Sequence, residues 1–125
     1  MGDRSDPQGA GNLRIRIVFG DAAMLGPGKA DLLEKIRETG SISAAGKAMG
    51  MSYKRAWMLV GEMNGAFRDP LIRSERGGVK GGGARLTDAG EAVLVHYRKL
   101  EDVLAEAGSA RIAALRSLLR DPSED

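Results

Sequence analysis

The sequence predicts a mainly α domain with a small β-hairpin wing: a winged helix-turn-helix followed by a long C-terminal helix. Three observations predict it. Two helical stretches meet at Gly50 in SISAAGKAMGMSYKRAWMLVGEMNGAF. Two short strand-like stretches flank a glycine-rich loop, RGGVKGGGAR. A long uninterrupted helical pattern, TDAGEAVLVHYRKLEDVLAEA, follows.

The elements follow in order. Leu13 to Phe19, LRIRIVF, alternates apolar and cationic residues before a Gly-Asp pair, the pattern of a half-buried strand with Arg14 and Arg16 outward. In GPGKADLLEKIRETG, Ala30, Leu33 and Ile36, with Leu32 beside them, recur at helical spacing, and Gly40 is the stop. Ser43 is predicted to cap the first helix of the pair, with a phosphate contact as its secondary use, and Ser52 to cap the second. Gly50 supplies the turn because it takes φ > 0 without steric cost. Small Ala44, Ala45 and Gly46 allow a close crossing, Met49 and Met51 point inward, and Ala56, Leu59 and Met63 form the buried stripe. Asn64-Gly65 reads as the end of the second helix, and Asp69-Pro70 closes the unit. An αα-hairpin without a ligand satisfies the same pattern. Residues 71–87 read as two strands and their loop, and Thr87 or Asp88 caps the long helix, which Gly108-Ser109 interrupts. The organisation is a disordered tail (1–11), the winged domain (12–87), one or two dimerisation helices (88–120) and a second tail (121–125).

Composition removes several classes of function. With 42% hydrophobic and 29% charged residues, the 125-residue chain has the make-up of one globular domain. Cysteine is absent, which excludes disulfide scaffolds and thiolate chemistry. The single histidine, His96, lies off the helical seam and has no second histidine to share a metal with. No nucleophile–base pair or carboxylate dyad suggests an enzyme, and no cofactor is implied. No apolar run reaches the ~18 residues of a membrane span and no secretory leader pattern is present, so a cytoplasmic protein is expected.

Charge is uneven. Residues 47–99 hold 10 Lys and Arg against 5 Asp and Glu, although the whole chain carries a net charge of only +2. A basic middle of this kind suits a polyanionic partner. Its centre is GMSYKRAW. With Ser52 as N-cap, Tyr53, Lys54 and Arg55 occupy the first turn of the second helix, the part of a recognition helix that enters the major groove of DNA. The stripe of Ala56, Leu59 and Met63 leaves Lys54 facing away from the core, with Tyr53 and Arg55 on its flanks. Cations in a first turn oppose the helix dipole, a penalty that a polyanion removes. Each residue also has a plainer use: solvated charge for Lys54 and Arg55, packing on the preceding helix for Tyr53. Trp57 suits either core packing or the sugar-phosphate chain. Gly61 implies close packing or a close approach of DNA.

The wing candidates are Arg76, Lys80, Gly81, Gly82 and Arg85. No Gly-Lys-Ser/Thr occurs in the loop and a strand follows it, so a nucleotide-binding P-loop is excluded. A flexible solvated hairpin tip is the alternative to a phosphate-contacting wing. Together with Lys54 and Arg55, its cations suggest about four or five neutralised phosphates and a log–log salt slope of roughly −4 per protomer. In the long helix, Val93, Tyr97, Leu100 and Leu104 are spaced 4, 3 and 4, the seam of paired helices, and Ile112 and Leu115 extend it. The seam serves a homodimer that places two recognition helices on an inverted repeat, or closes the domain's own core. If the basic patch is incidental, the whole is a protein-interaction module.

Taken together, TGSISAAGKAMGMSYKRAWMLVGEMN and GGVKGGGARLTDAGEAVLVHYRKLE resemble the N-terminal DNA-binding domain of the molybdate-responsive regulator (ModE) family, a winged helix of the LysR type. The likeness runs from about Leu13 to Leu104. It implies a dimeric bacterial transcription regulator with Ser52 to Trp57 and the wing on DNA. Full-length members carry C-terminal molybdate-binding domains, for which 125 residues leave no room, so molybdate sensing is not expected: the chain is a stand-alone regulator or takes its signal from a partner protein.

Overall fold

Pro27 fixes the backbone at the start of the first helix and Gly40 ends it, so the intervening apolar residues are presented on one face. The structure, a computed structural model, describes residues 13–21, 23–75 and 83–121. The tail expected at 1–11, all but Asp121 of the tail expected at 121–125, and Arg76, Lys80, Gly81 and Gly82 of the wing lie outside the described residues. Helix α1, Pro27–Thr39, buries Ala30, Leu32, Leu33 and Ile36 and ends where the Gly40 N–H donates to the Ile36 carbonyl. Helix α2 is Ile42–Ala48 and helix α3 is Tyr53–Ala66. The predicted strand is shorter than expected: β1 is Ile17–Phe19, and it pairs antiparallel with β2, Ala23–Leu25, which the sequence did not reveal.

The wing strands β3, Ile72–Glu75, and β4, Gly83–Leu86, pair antiparallel with Ile72 opposite Leu86 and Arg73 opposite Arg85. The period of two puts Ile72, Ala84 and Leu86 inward while Arg73 and Arg85 share the outer face. Helix α4, Asp88–Ala107, is capped by Thr87, whose Oγ1 accepts from the Gly90 N–H at 3.0 Å and donates to the Pro70 carbonyl at 2.6 Å. Helix α5 is Ser109–Ser117.

Residues 15–97 make up one compact unit. Its core joins Leu32, Leu33 and Ile36 of α1 to Ile42 and Ala45 of α2, to Val60 and Met63 of α3, and to Leu71, Leu94 and Tyr97. Each such large side chain contributes about 1.5–3 kcal/mol by leaving water. The expected boundary after Thr87 therefore moves: Ala89, Val93, Leu94 and Tyr97, on the first half of α4, pack in this core. Tyr97 is only 2% exposed and its hydroxyl donates to the Ile15 carbonyl, so it belongs to its own unit's interior and not to an open dimer seam. Val93 is likewise half-buried against the core.

Residues 98–121 fall in the second unit. There Arg98 pairs with Glu101 at 3.1 Å. Leu104, Leu115, Leu118 and Leu119 are exposed, whereas Leu100 and Ile112 are half-buried.

Candidate nucleic-acid interface

The turn between α2 and α3 follows from its glycines. Gly50 sits at φ +71°, where an L side chain is strained. A Cβ on Gly46 would stand 2.8 Å from the Ala56 Cβ, so only glycine allows α2 and α3 to cross this closely. Ala45 is buried beside it, but Ala44 faces solvent and takes no part in the crossing.

Capping then decides what leads α3. Ser52 Oγ accepts from the Arg55 N–H at 3.1 Å, so Tyr53, Lys54 and Arg55 form the first turn as the sequence suggested. At α2 the cap is Ser41, not Ser43: Ser41 Oγ accepts from the Ala44 N–H at 3.0 Å, and Ser43 lies exposed one residue inside the helix. The helix begins earlier because Ile42 is needed in the core. The end of α3 also differs. Asn64 does not stop the helix; its side chain turns away to accept from the Leu71 and Ile72 N–H groups at 2.8 and 3.0 Å and to donate to the Ile72 carbonyl at 3.0 Å. One amide thus ties the last turn of α3 to the first residues of the wing.

Lys54 and Arg55 are exposed, and neither has an ion-pair partner among the described residues. Tyr53 is 64% exposed, which rules out packing on the preceding helix. Trp57 is 39% exposed with its ring centroid 6.0 Å from that of Tyr53. A groove of about 480 Å3 runs between these rings and the base of the wing, lined also by Ser41, Ile42, Ser43, Ser74, Glu75, Gly83 and Ala84. The Ala84 N–H donates to the Gly40 carbonyl at 2.9 Å, which holds β4 at the α1–α2 junction and hence beside the α3 N-terminus.

Arg85 is exposed but engaged: its Nε lies 2.8 Å from Glu75 Oε2. Arg73, exposed directly across the ladder, has no such partner among the described residues and is a further wing cation beyond those expected from the sequence. Its signal was there in the alternation of LIRSE, where Ile72 must point inward and Arg73 therefore outward. Among the described residues Gly61 meets nothing within 4 Å of an added Cβ, so close packing against them does not explain it. No group of three or more His, Cys, Asp or Glu that could hold a metal occurs among the described residues. Among the same residues no helix is long and apolar enough to cross a membrane.

Comparison with known proteins agrees with this geometry. The model of the bacterial regulatory helix-turn-helix proteins of the lysR family matches residues 29–91, half of the chain. The chain is 41% identical over 86 residues to the molybdenum-pterin-binding protein MopA of Rhodobacter capsulatus, covering 69% of this chain and 32% of MopA. It is 41% identical over 104 residues to MopB of the same organism, covering 82% and 37%. It is 38% identical over 81 residues to the DNA-binding transcriptional dual regulator ModE of Escherichia coli strain K12, covering 65% and 31%. The chain thus spans about a third of the length of these relatives. From α1 through the wing to the start of α4, the matched segment is the winged helix-turn-helix itself, and the chain belongs to the lysR family of bacterial regulatory helix-turn-helix proteins.

Proposed function

We propose that the chain is a transcription regulator that binds specific double-stranded DNA as a homodimer. Residues 53–64 of α3 enter the major groove and the wing, residues 76–85, follows the backbone. The observation that carries the reading is the pair Lys54 and Arg55, exposed on the first turn of α3, whose Tyr53 and Trp57 share a groove with the base of the wing. Solvated charges would gain nothing from sitting at the positive end of a helix dipole, whereas a phosphate chain removes their mutual repulsion. Arg73 joins them from the wing, and Arg85 acts mainly on Glu75, whose carboxylate would otherwise repel the same phosphates.

Dimerisation is assigned to the second unit, through Leu100, Leu104, Ile112 and Leu115, with Leu118 and Leu119 adding apolar surface. Leu115, Leu118 and Leu119 are 65–80% exposed, an unusual run of leucines to leave in water. A twofold pair would set two α3 helices about one DNA turn apart on an inverted repeat. Such a regulator works in the cytoplasm. The test is charge reversal. Lys54→Glu with Arg55→Glu abolishes duplex binding at low salt if the groove assignment is right; retained affinity sinks it. Sedimentation of the chain cut before Glu101 tests the dimer, which is lost on the present reading and kept if the leucines have another use.

A further inference from the structure

Tyr53 and Trp57 stand one turn apart on the same side of α3, their ring planes inclined at 58°. The two rings present a largely apolar surface on the leading half of the helix. Lys54 and Arg55, exposed on the same first turn, carry the charge that phosphates require. Between them the two aromatic side chains offer one hydroxyl and one indole N–H for hydrogen bonds, so most of their accessible surface cannot read a donor or an acceptor. The far wall of the groove joins Ser74 and Glu75 to Gly83 and Ala84. In the major groove, the one apolar feature on any base edge is the C5-methyl of thymine.

We infer that Trp57, with Tyr53, reads thymine methyl groups in the major groove and so sets part of the base specificity. The inference rests on the proposal that α3 enters that groove and adds the class of base edge it recognises. Lys54 and Arg55 position the helix on the phosphates, and the rings exclude water from the methyl.

The probe is a pool of duplexes with a randomised central segment. Those the chain retains are resynthesised with deoxyuridine at every thymidine, which removes each methyl and keeps every hydrogen-bonding group. The parent chain binds the uracil duplexes about fourfold more weakly for each methyl read, the worth of one buried methyl group. Trp57→Ala binds thymine and uracil duplexes alike, at the parent's salt dependence, and Tyr53→Phe keeps the preference. Tyr53→Ala, at the more exposed ring, weakens the preference too and supplies the readout if Trp57→Ala does not fold. Equal binding of the two duplexes by the parent overturns the inference and leaves the groove reading standing. A uracil penalty that survives Trp57→Ala does the same, because it then reports duplex shape. A pool from which nothing is retained overturns both.

Discussion

Asn64→Ala removes a single side chain that joins the recognition helix to the wing. The assignment of its amide is fixed by its surroundings, since the oxygen faces two backbone N–H groups and the nitrogen faces a carbonyl. Three hydrogen bonds are lost at a net value of about 1 kcal/mol each. Alanine's better helix propensity returns roughly 0.5 kcal/mol. Water can reach the half-buried site, so the penalty for unpaired groups stays small, and the net loss is about 2–3 kcal/mol. For a unit of residues 15–97 that corresponds to a thermal midpoint lower by roughly 10–20 °C. Thermal unfolding followed by far-UV circular dichroism measures it. DNA affinity should fall as well, measured well below the new midpoint, because the wing is no longer registered against α3. A drop of under about 3 °C would refute the reasoning, showing that water replaces the amide at no cost.

Three further substitutions separate parts of the argument. Ser52→Ala should destabilise the fold by about 1 kcal/mol through loss of the α3 cap, read as a lower urea midpoint with an unchanged m-value. Gly61→Ala should stabilise by roughly 0.5–1 kcal/mol, because the site is helical, exposed and free of neighbours, and thermal unfolding reports it; a simultaneous loss of DNA affinity would mark close approach of the duplex. Tyr97→Phe should cost about 1 kcal/mol by leaving the Ile15 carbonyl without its donor, while leaving the sedimentation mass unchanged, since Tyr97 is interior.

What could be read from the sequence depended on the range of the interaction that fixes each feature. The helix pair, its glycine turn and the Ser52 cap were legible because they are local: φ > 0 at Gly50 and a hydroxyl three residues before Arg55 need no tertiary knowledge. The same local logic misled at Ser43. Ser41 and Ser43 both suit a cap, and only the demand for Ile42 in the core chooses between them. Asn64-Gly65 likewise looks like a stop, but the amide's partners lie 7 and 8 residues on, across the turn into the wing. Strand β2 has three residues and owes its existence to β1, so no periodicity announces it. The α4 seam shows the sharpest limit. A 4-3-4 spacing identifies an apolar stripe without saying what covers it, and the covering changes along its length: the domain's own core takes Val93 and Tyr97, and Leu104 is left exposed. At the wing, Arg85 and Arg73 are equivalent in sequence, and the Glu75 carboxylate beside Arg85 distinguishes them.

DNA binding through α3 depends on Lys54 and Arg55 neutralising phosphates, and the salt dependence of duplex binding measures that most directly. Plotted as log affinity against log salt, the parent chain should give a slope of roughly −4 per protomer, and the Lys54→Ala, Arg55→Ala double variant roughly −2. Equal slopes for the two chains would mean that these cations touch no phosphate, and the assignment of α3 to DNA would be wrong.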